Sequence, residues 1–308
     1  MGLAIEDVAV QFFVVQGGTA AMGASALGSC SLLNLDGHLL LVDVGPGSLD
    51  RLVASSVPFD RIDAVFLTHF HPDHVADLPV LIQFFVYGME PKRTRPLYVV
   101  GGPGLTRMFV AWAEHFGSFV HPDHGPVRLV EVAAPDHPVP VRCEGLDLGA
   151  ARVEAVHVDH KEASLAYRFT ESDVEGVSGG ALSDRAPTAS LVLSGDTAPC
   201  ETLVVIARSA DLFFCECSFP DERPRPGHMT PMTVGETAQR AAVGTVMLTH
   251  LYPEMNPDEA RHRVEALFHG GVVVAEQGLC ASIEVVGQGV SRSRFGSRIT
   301  LAHDSRCW

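Results

Sequence analysis

The stretch Thr68-His69-Phe70-His71-Pro72-Asp73-His74 carries four potential metal ligands within six residues, directly after the apolar run 62–67. An extended His-x-His places both imidazoles on the same side of the backbone, because side chains alternate along a strand. Pro72 favours the first turn of a helix, which would present Asp73 and His74 at its start. Imidazoles and carboxylates suit zinc and related divalent ions. The stretch therefore predicts a metal site at a strand end, able to serve two adjacent ions.

A similar group, His121-Pro122-Asp123-His124, shows that such a cluster can also arise without a ligand role. It lacks the preceding Thr-His-x and lies between Phe119-Val120 and Gly125-Pro126, as a loop does. We interpret it as a solvated turn. The first cluster is interpreted as a metal site because further ligands in a suitable context follow it along the chain.

Length and composition are those of a globular protein. The 308 residues suffice for one large domain or two smaller ones with a buried core. Hydrophobic residues make up 46% and charged residues 19%, which excludes wholesale disorder. The net charge of −15 argues against a general nucleic-acid binder, which would show a basic footprint. We attribute the acidity to solubility.

The cysteines and the first residues bear on the cellular compartment. Seven cysteines are scattered along the chain, an odd number that favours reduced thiols. Glu6 and Asp7 precede the first short apolar run, unlike a signal peptide. No apolar stretch is long enough to span a membrane. We therefore expect a cytoplasmic protein with no membrane partner.

Apolar strand-like runs alternate with helix-like segments along most of the chain. The runs predicted as strands cover residues 8–15, 39–42, 62–67, 153–156, 190–193 and 245–248. Helices are predicted over residues 75–87, 104–115 and 200–209, from the cap Thr230-Pro231 to about residue 242, and from Asn256 to about residue 269. This alternation indicates a layered α/β architecture.

Several predicted strands end in polar residues of chemical interest. Leu-Thr-His closes two of them, at 67–69 and at 248–250, while Ser194-Gly195-Asp196 and Asp43-x-Gly45-Pro46-Gly47 follow two others. The repeated ending hints at two related halves. Because sites are commonly assembled at strand ends in layered folds, we expect one active site that draws on distant segments.

The character of the chain changes after residue 287. Residues 291–308 include four arginines and few apolar side chains. We therefore expect one hydrolase domain over residues 1–287 and a flexible C-terminal tail over residues 288–308.

Further histidines and carboxylates follow in a fixed order. They lie in residues 153–160 before Tyr167, in Ser194-Gly195-Asp196-Thr197, in Gly227-His228-Met229-Thr230 and in Leu248-Thr249-His250. Together with residues 68–74, these segments resemble the successive motifs of the metallo-β-lactamase superfamily, in particular its ribonuclease Z-like and phosphodiesterase branch. The resemblance covers roughly residues 8 to 287. It implies an α/β fold, the four-layer αββα metallo-β-lactamase sandwich, with a site for two metal ions.

The resemblance also implies a ligand set. One ion would be bound by His69, His71 and His160, and the second by Asp73, His74 and His250, with Asp196 bridging them. The family places one ligand seven residues before an aromatic residue, which favours His160 over His157, although the reverse assignment stays open. Two Zn²⁺ are expected, with Mn²⁺ or Fe as alternatives. Asp43 is expected to orient a ligand histidine.

An additional acid is needed to protonate a leaving group. His228 in Gly-His-Met-Thr and Glu216 in Cys215-Glu216-Cys217-Ser218 resemble the family's Gly-His-Ser-Thr-like and His-Glu-Ala-Thr-like motifs. The resemblance implies that His228 donates this proton while Glu216 holds it and raises its pKa. Asp73, besides binding metal, is expected to accept the proton of the attacking water. A simpler interpretation of His228, as a helix-start residue before the Thr230 cap, stays open.

Three departures from the family pattern bear on the substrate. True β-lactamases usually have Cys at the position of Asp196, which counts against β-lactam hydrolysis. Cys215 replaces the family's His before Glu216. Members that process transfer RNA often insert a long Lys-rich arm between the motifs of His160 and Asp196, whereas here the interval is short, with Glu162, Glu171, Asp173, Glu175 and Asp184 against Lys161, Arg168 and Arg185. Because such an interval offers little contact to phosphates, tRNA is not expected as the partner.

The sequence thus predicts a dinuclear metal-dependent hydrolase. The first choice is a phosphodiesterase that cleaves a small or accessible phosphodiester, such as a cyclic nucleotide, by attack of a metal-bridging hydroxide. The alternatives are a ribonuclease Z-like endonuclease acting on tRNA 3′ ends, and a hydrolase of a thioester, lactone or sulfate ester. A non-catalytic scaffold would be expected to lack a ligand, and none is missing. The resemblance further suggests a homodimer.

Overall fold

The described part of the chain forms two β-sheets that lie face to face, with helices on the outer face of each. A computed structural model describes residues 10–19, 27–121, 125–133, 140–149, 151–161, 164–171, 188–287 and 295–303. Its strands, in chain order, are β1 (Val10–Gly17), β2 (Ser29–Leu35), β3 (His38–Val42), β4 (Ile62–Phe66), β5 (Leu97–Gly101), β6 (Val127–Glu131), β7 (Val141–Arg142), β8 (Arg152–His157), β9 (Leu165–Thr170), β10 (Ser190–Leu193), β11 (Leu212–Glu216), β12 (Thr245–Thr249), β13 (Gly271–Val274), β14 (Leu279–Gly287) and β15 (Phe295–His303). The spatial order is β15-β14-β1-β2-β3-β4-β5-β6 in the first sheet and β13-β12-β11-β10-β9-β8-β7 in the second.

The α-helices within the described residues are α1 (Ser48–Ala54), α2 (Pro72–Val75), α3 (Leu78–Gln83), α4 (Leu105–Phe116), α5 (Glu201–Ala207), α6 (Pro231–Ala241) and α7 (Pro257–Glu265). Both predicted caps are confirmed. The backbone N–H of Thr230 donates to Thr233 Oγ1 at 2.8 Å, as in a capping box before α6. The Asn256 side chain accepts from the backbone N–H groups of Asp258 and Glu259 at the start of α7.

Alternation along the strands divides their apolar side chains between the core of the sandwich and the helix layers. On β1, Phe12 and Val14 lie in the cluster between the sheets, whereas Phe13 packs under the helices of the first sheet. On β10, Leu191 faces the first sheet and Val192 packs against the helices beside the second. Three apolar interfaces therefore separate four layers, which confirms the expected α/β fold with αββα layering.

Aromatic side chains join the two sheets next to the predicted metal ligands. Phe66 of β4 is fully buried and meets Tyr167 and Phe169 of β9 edge to face, with ring centroids 5.3 and 5.1 Å apart. Such pairs contribute roughly 0.5–1.5 kcal/mol each beyond their buried area. The Tyr167 hydroxyl also donates to the Leu67 carbonyl at 2.8 Å. These contacts hold the chain that leaves β4 against the second sheet.

Each sheet contains a run of parallel strands, β3 to β6 in the first and β10 to β13 in the second. Parallel strands end at the same edge of a sheet, so residues that follow them are brought together. Asp43 follows β3, and residues 67–74 follow β4. Asp196 and His250 follow β10 and β12, while Glu216 is the last residue of β11. The fold thus collects polar residues from five strand ends.

The predicted helix over residues 75–87 is interrupted. The structure has α2, then α3, then a π-helical turn over Phe84–Gly88. Pro79 lies in the first turn of α3, where its missing N–H costs nothing, and it cannot continue a helix that begins upstream. The helix expected to reach residue 269 ends at Glu265.

The expectation of a flexible C-terminal tail over residues 288–308 is wrong in part. Phe295–His303 form β15, which pairs antiparallel with β14 at the edge of the first sheet. Ile299 packs against the cluster between the sheets, and this apolar contact stabilises the strand although arginines surround it in sequence. These residues are therefore part of the sheet, while 288–294 and 304–308 lie outside the described residues.

Five cysteines are free thiols, as predicted, namely Cys30, Cys143, Cys200, Cys215 and Cys217. Cys280 is disulfide-bonded, so the prediction of reduced thiols is wrong for that residue. Over the described residues, the helices are all too short or too polar to cross a lipid bilayer.

Candidate metal centre

The predicted ligands come together in two groups at the edge where strands of both sheets end. His69, His71, His160 and Asp196 form the first group. Asp73, His74 and His250 form the second. Within each group the candidate ligand atoms lie within 4.8 Å of one another, so each group could hold a metal ion.

In the first group, three imidazole nitrogens converge on one point. His69 Nε2 lies 3.0 Å from His71 Nδ1, and His160 Nε2 lies 3.3 Å from the same atom. His69 and His71 are brought together by the two-residue period of extended chain. His160 reaches them from the second sheet, and its Nδ1 lies 2.8 Å from the Gly227 carbonyl, which leaves Nε2 for the site.

Asp196 lies between the two groups. Its Oδ2 is 3.9 Å from His69 Nε2, while its Oδ1 is 3.5 Å from His74 Nε2 and 3.4 Å from His250 Nε2. Asp73 Oδ2 completes the second group at 3.7 Å from His74 Nε2 and 3.8 Å from His250 Nε2. The two oxygens of Asp196 thus face different groups, which is the arrangement that a bridging carboxylate requires.

The residues present fit divalent metal ions. His74 Nε2 and His250 Nε2 are buried and have no hydrogen-bond partner among the described residues. A buried nitrogen without a partner costs free energy, of the order of 1–3 kcal/mol, unless something binds it. Neutral imidazole and carboxylate donors in this number are those that zinc and similar ions prefer.

The Asp43 carboxylate organises two of the imidazoles. Asp43 Oδ2 lies 2.7 Å from His74 Nδ1, and Oδ1 accepts from the backbone N–H of Thr68 at 2.8 Å. The Thr68 hydroxyl donates to the same carboxylate and lies 3.1 Å from His69 Nδ1. We call these four residues the Asp43 network. It directs the Nε2 atoms of both imidazoles towards the metal groups, and it confirms that Asp43 orients a histidine.

The Glu216 carboxylate forms a second network of the same kind. His228 Nδ1 lies 3.0 Å from Glu216 Oε1, and the Ser218 hydroxyl donates to Oε2. Ser218 Oγ in turn lies 3.0 Å from His250 Nδ1. Backbone N–H groups of Thr197 and Met229 also donate to the buried carboxylate. We call Glu216, Ser218, His228 and His250 the Glu216 network.

The electrostatics of the site favour positive charge between the carboxylates. Burial lowers the pKa of His74, but Asp196 and Asp43 raise it to about 10. Burial also opposes the charge of Asp196, yet His250 and His74 hold its pKa well below the usual range. For His69, burial and then His74 lower the pKa well below 6.5, so this imidazole is neutral and able to bind a cation.

His228 differs from the buried ligands in its exposure to solvent. Burial lowers its pKa, but the hydrogen bond and the charge of Glu216 raise it above 6.5. Its side chain is 14% exposed, against 2% for His74. A protonated imidazole that solvent can reach suits proton donation to a leaving group.

The backbone at the site is tightly constrained. A Cβ on Gly45 would lie 2.0 Å from the Asp73 carbonyl oxygen, and one on Gly28 would lie 2.5 Å from it. Only glycine allows these loops to support the turn that carries Asp73. Asp43 and His250 have φ values of 59° and 58°, which is the left-handed region. Such conformations cost about 1–3 kcal/mol each and concentrate at functional sites.

The structure brings together every residue that the sequence proposed for the site, and it adds others. His160, rather than His157, belongs to the first group among the described residues. Thr68, Ser218 and the Gly227 carbonyl were not predicted to support the imidazoles. The only sequence signal for the two hydroxyls was that each lies at the end of a predicted motif, Thr68 before His69 and Ser218 after Cys217. The solvated turn proposed for His121 to His124 lies largely outside the described residues, as does most of the acidic interval before Asp196.

Comparisons with known proteins agree with the fold. A family model described as a β-lactamase superfamily domain matches residues 38–251. A ribonuclease Z of Mycobacterium sp. (strain KMS) is 31% identical over 272 residues, which is 81% of this chain and 87% of the relative. Among solved structures, the metallo-β-lactamase fold protein YhfI from Bacillus subtilis has a TM-score of 0.68 at 23% identity, covering 88% of this chain and 98% of that one. The short form of human tRNase Z, ELAC1, has a TM-score of 0.67 at 20% identity, covering 89% of this chain and 100% of that one.

The chain belongs to the metallo-β-lactamase superfamily. Within it, the chain is a ribonuclease Z-like, metal-dependent hydrolase. The expectation that tRNA is not a substrate gains no support from relatives named ribonuclease Z, and much of the interval on which it rested lies outside the described residues.

Proposed function

We propose that this protein is a dinuclear metal phosphodiesterase that acts on a small or accessible phosphodiester. His69, His71 and His160 would bind one ion, Asp73, His74 and His250 the other, and Asp196 both. The support for this assignment is the position of Asp196, whose oxygens face different groups. Divalent ions held there supply Lewis acidity and lower the pKa of water, which is the chemistry that phosphodiester hydrolysis needs.

The observation that carries the choice of phosphodiesters is the Glu216–His228 pair beside the metal groups. Cleavage of an alkyl phosphodiester expels an alkoxide, which must be protonated as it leaves. His228 Nδ1 is held by Glu216, so Nε2 carries the proton that can be donated. Asp73 would accept the proton of the attacking water.

His228 also lies close enough to Asp196 and His250 to form a third group of possible ligands. Metal content separates the two roles. As a proton donor, His228 can be replaced by alanine without loss of metal. As a ligand, it cannot.

A panel of substrates tests the proposal. The metal-loaded protein is assayed with bis-p-nitrophenyl phosphate, cyclic AMP, a thioester, a lactone and a sulfate ester. We expect turnover of the phosphodiesters above that of the other esters, because two adjacent metal ions can stabilise both the attacking and the leaving oxygen of a phosphodiester. Turnover of the carbon or sulfate esters alone would show that the proposal is wrong.

A tRNA 3′-processing endonuclease is the second candidate. The observation that favours it is the similarity to ribonuclease Z proteins over most of both chains. It would use the same residues on a macromolecular phosphodiester. A tRNA precursor with a defined 3′ trailer belongs in the panel, and release of the intact trailer by this protein but not by its Asp73→Ala variant would favour this candidate over a small substrate.

A further inference from the structure

Ser218 stands between a predicted metal ligand and a carboxylate that no metal group contains. Its hydroxyl is fully buried and contacts both His250 Nδ1, at 3.0 Å, and Glu216 Oε2. The other oxygen of Glu216 is next to His228. One carboxylate is thus connected to two imidazoles, directly to one and through a hydroxyl to the other.

The direction of these hydrogen bonds follows from counting protons. A carboxylate can only accept, so the single hydroxyl proton of Ser218 is donated to Glu216. Ser218 Oγ must then accept from His250, which places a proton on Nδ1 and leaves the lone pair on Nε2. That Nε2 atom is buried, has no hydrogen-bond partner among the described residues and faces Asp196 at 3.4 Å. It is therefore set up to bind a cation.

We propose that Ser218 is a positioning residue through which the Glu216 carboxylate fixes the tautomer of His250. The same carboxylate holds His228, so one side chain sets both a metal-binding imidazole and the proton donor. The inference rests on the metal centre of the proposed function, but not on the identity of the substrate. It extends the role of Glu216 from the acid to the metal.

A purely structural role for Ser218 makes a different prediction. Buried hydroxyls usually have hydrogen-bond partners, and losing one costs stability wherever it lies in the core. Ser190 provides the comparison, because it is also buried and its hydroxyl donates to a carboxylate, Asp211 Oδ2, at 2.9 Å. Ser190 lies at the far end of β10 from Asp196. A merely structural effect would appear in both serines, whereas an effect on metal affinity would appear only in Ser218.

The test compares Ser218→Ala with Ser190→Ala and with Ser218→Thr, which restores the hydroxyl. Zinc affinity is measured by competition with a chromophoric chelator, and folding by circular dichroism and thermal unfolding. We expect Ser218→Ala to lose about 10- to 100-fold in affinity for one zinc equivalent, as is typical when a partner of a metal-binding histidine is removed. Ser190→Ala should lower only the unfolding temperature, and Ser218→Thr should keep near wild-type affinity.

A second test does not require the Ser218→Ala variant to fold. Glu216→Gln keeps the shape of the side chain but replaces one accepting oxygen with an NH₂ group. The hydrogen bonds from Ser218 and His228 can then no longer both form as they do with the carboxylate. Zinc affinity should therefore fall, although Glu216 belongs to neither metal group. In the wild-type holoprotein, ¹⁵N-histidine NMR should show a slowly exchanging Nδ1–H on His250. Wild-type zinc affinity in both Ser218→Ala and Glu216→Gln, or a rapidly exchanging Nδ1–H, would overturn the proposal. Because these readouts use metal rather than substrate, they stand even if phosphodiesters are not hydrolysed.

Discussion

The Asp43 network and the Glu216 network have the same connections but different tasks. Each has one buried carboxylate that contacts one imidazole directly and a second through a hydroxyl. In the Asp43 network both imidazoles face the metal groups. In the Glu216 network one imidazole, His228, is more exposed, and although burial lowers its pKa, Glu216 raises it above 6.5. The comparison teaches that position relative to Asp196 and to solvent decides whether such a histidine acts as ligand or acid.

The two networks arise at equivalent places in the fold. Asp43 follows β3 and Thr68 follows the parallel neighbour β4, whereas Glu216 ends β11 and His250 follows its parallel neighbour β12. The repeated Leu-Thr-His hinted at two related halves, but the threonines of the two copies have different contacts. Thr249 Oγ1 has no hydrogen-bond partner among the described residues, and Ser218 takes the place that Thr68 has in the first network.

The largest effect is expected from removing Asp196, whose two oxygens face the two metal groups. Asp196→Ala should release metal from both groups and reduce turnover to background. Each group loses a carboxylate oxygen, and the negative charge that balances a bound cation is lost with it. Metal content by mass spectrometry and turnover of bis-p-nitrophenyl phosphate measure this. Full metal content in the variant would contradict a shared ligand.

The next prediction separates the two tasks. His74→Ala should lose metal, whereas His228→Ala should keep it and lose about 10²- to 10⁴-fold in turnover of substrates with poor leaving groups. The loss should be smaller with p-nitrophenyl substrates, whose leaving group needs little protonation. His38→Ala is the control, because His38 is paired with Asp63 at 3.2 Å outside the site. Loss of metal from His228→Ala would show that His228 is a ligand.

A milder change weakens one network while leaving every ligand in place. Asp43→Asn should reduce metal affinity by about 10- to 100-fold, because His74 loses its charged partner. Glu216→Gln should reduce both metal affinity and the turnover of poor leaving groups. Chelator competition on the two variants tests this difference. If Asp43→Asn impaired only turnover, the division of tasks between the networks would be wrong.

The smallest effect concerns pH. Burial lowers the pKa of His228, but Glu216 raises it above 6.5, so more of the imidazole is protonated near neutral pH than in a free histidine, and it loses its proton as pH rises through that raised pKa. Turnover of a substrate with a poor leaving group should therefore fall on the alkaline side, by up to about tenfold per pH unit. The fall should be absent in His228→Ala. An unchanged alkaline limb in that variant would assign the titration to another group.

The ligands were predictable because each adjoins an apolar run with a clear strand pattern. His69, His71 and His74 lie in one short motif, and Asp196 and His250 lie within three residues of the ends of predicted strands. The supporting groups were harder to predict. Thr68 and Ser218 are ordinary residues in sequence, and only their distance to a carboxylate and an imidazole separates them from other buried hydroxyls. The resemblance favoured His160 over His157, and the structure places His160 in the first group.

The sequence by itself determined the layers and the inventory of ligands, since alternation and strand-end chemistry are properties of local chain geometry. Only the tertiary structure decided which donors share a metal group, that Asp196 faces both groups, and that one carboxylate connects two imidazoles. Several of those relations join distant parts of the chain, such as His69 with Asp196 and Asp73 with His250. They depend on the register of parallel strands and on how two sheets pack, and neither is encoded by any one segment of the chain.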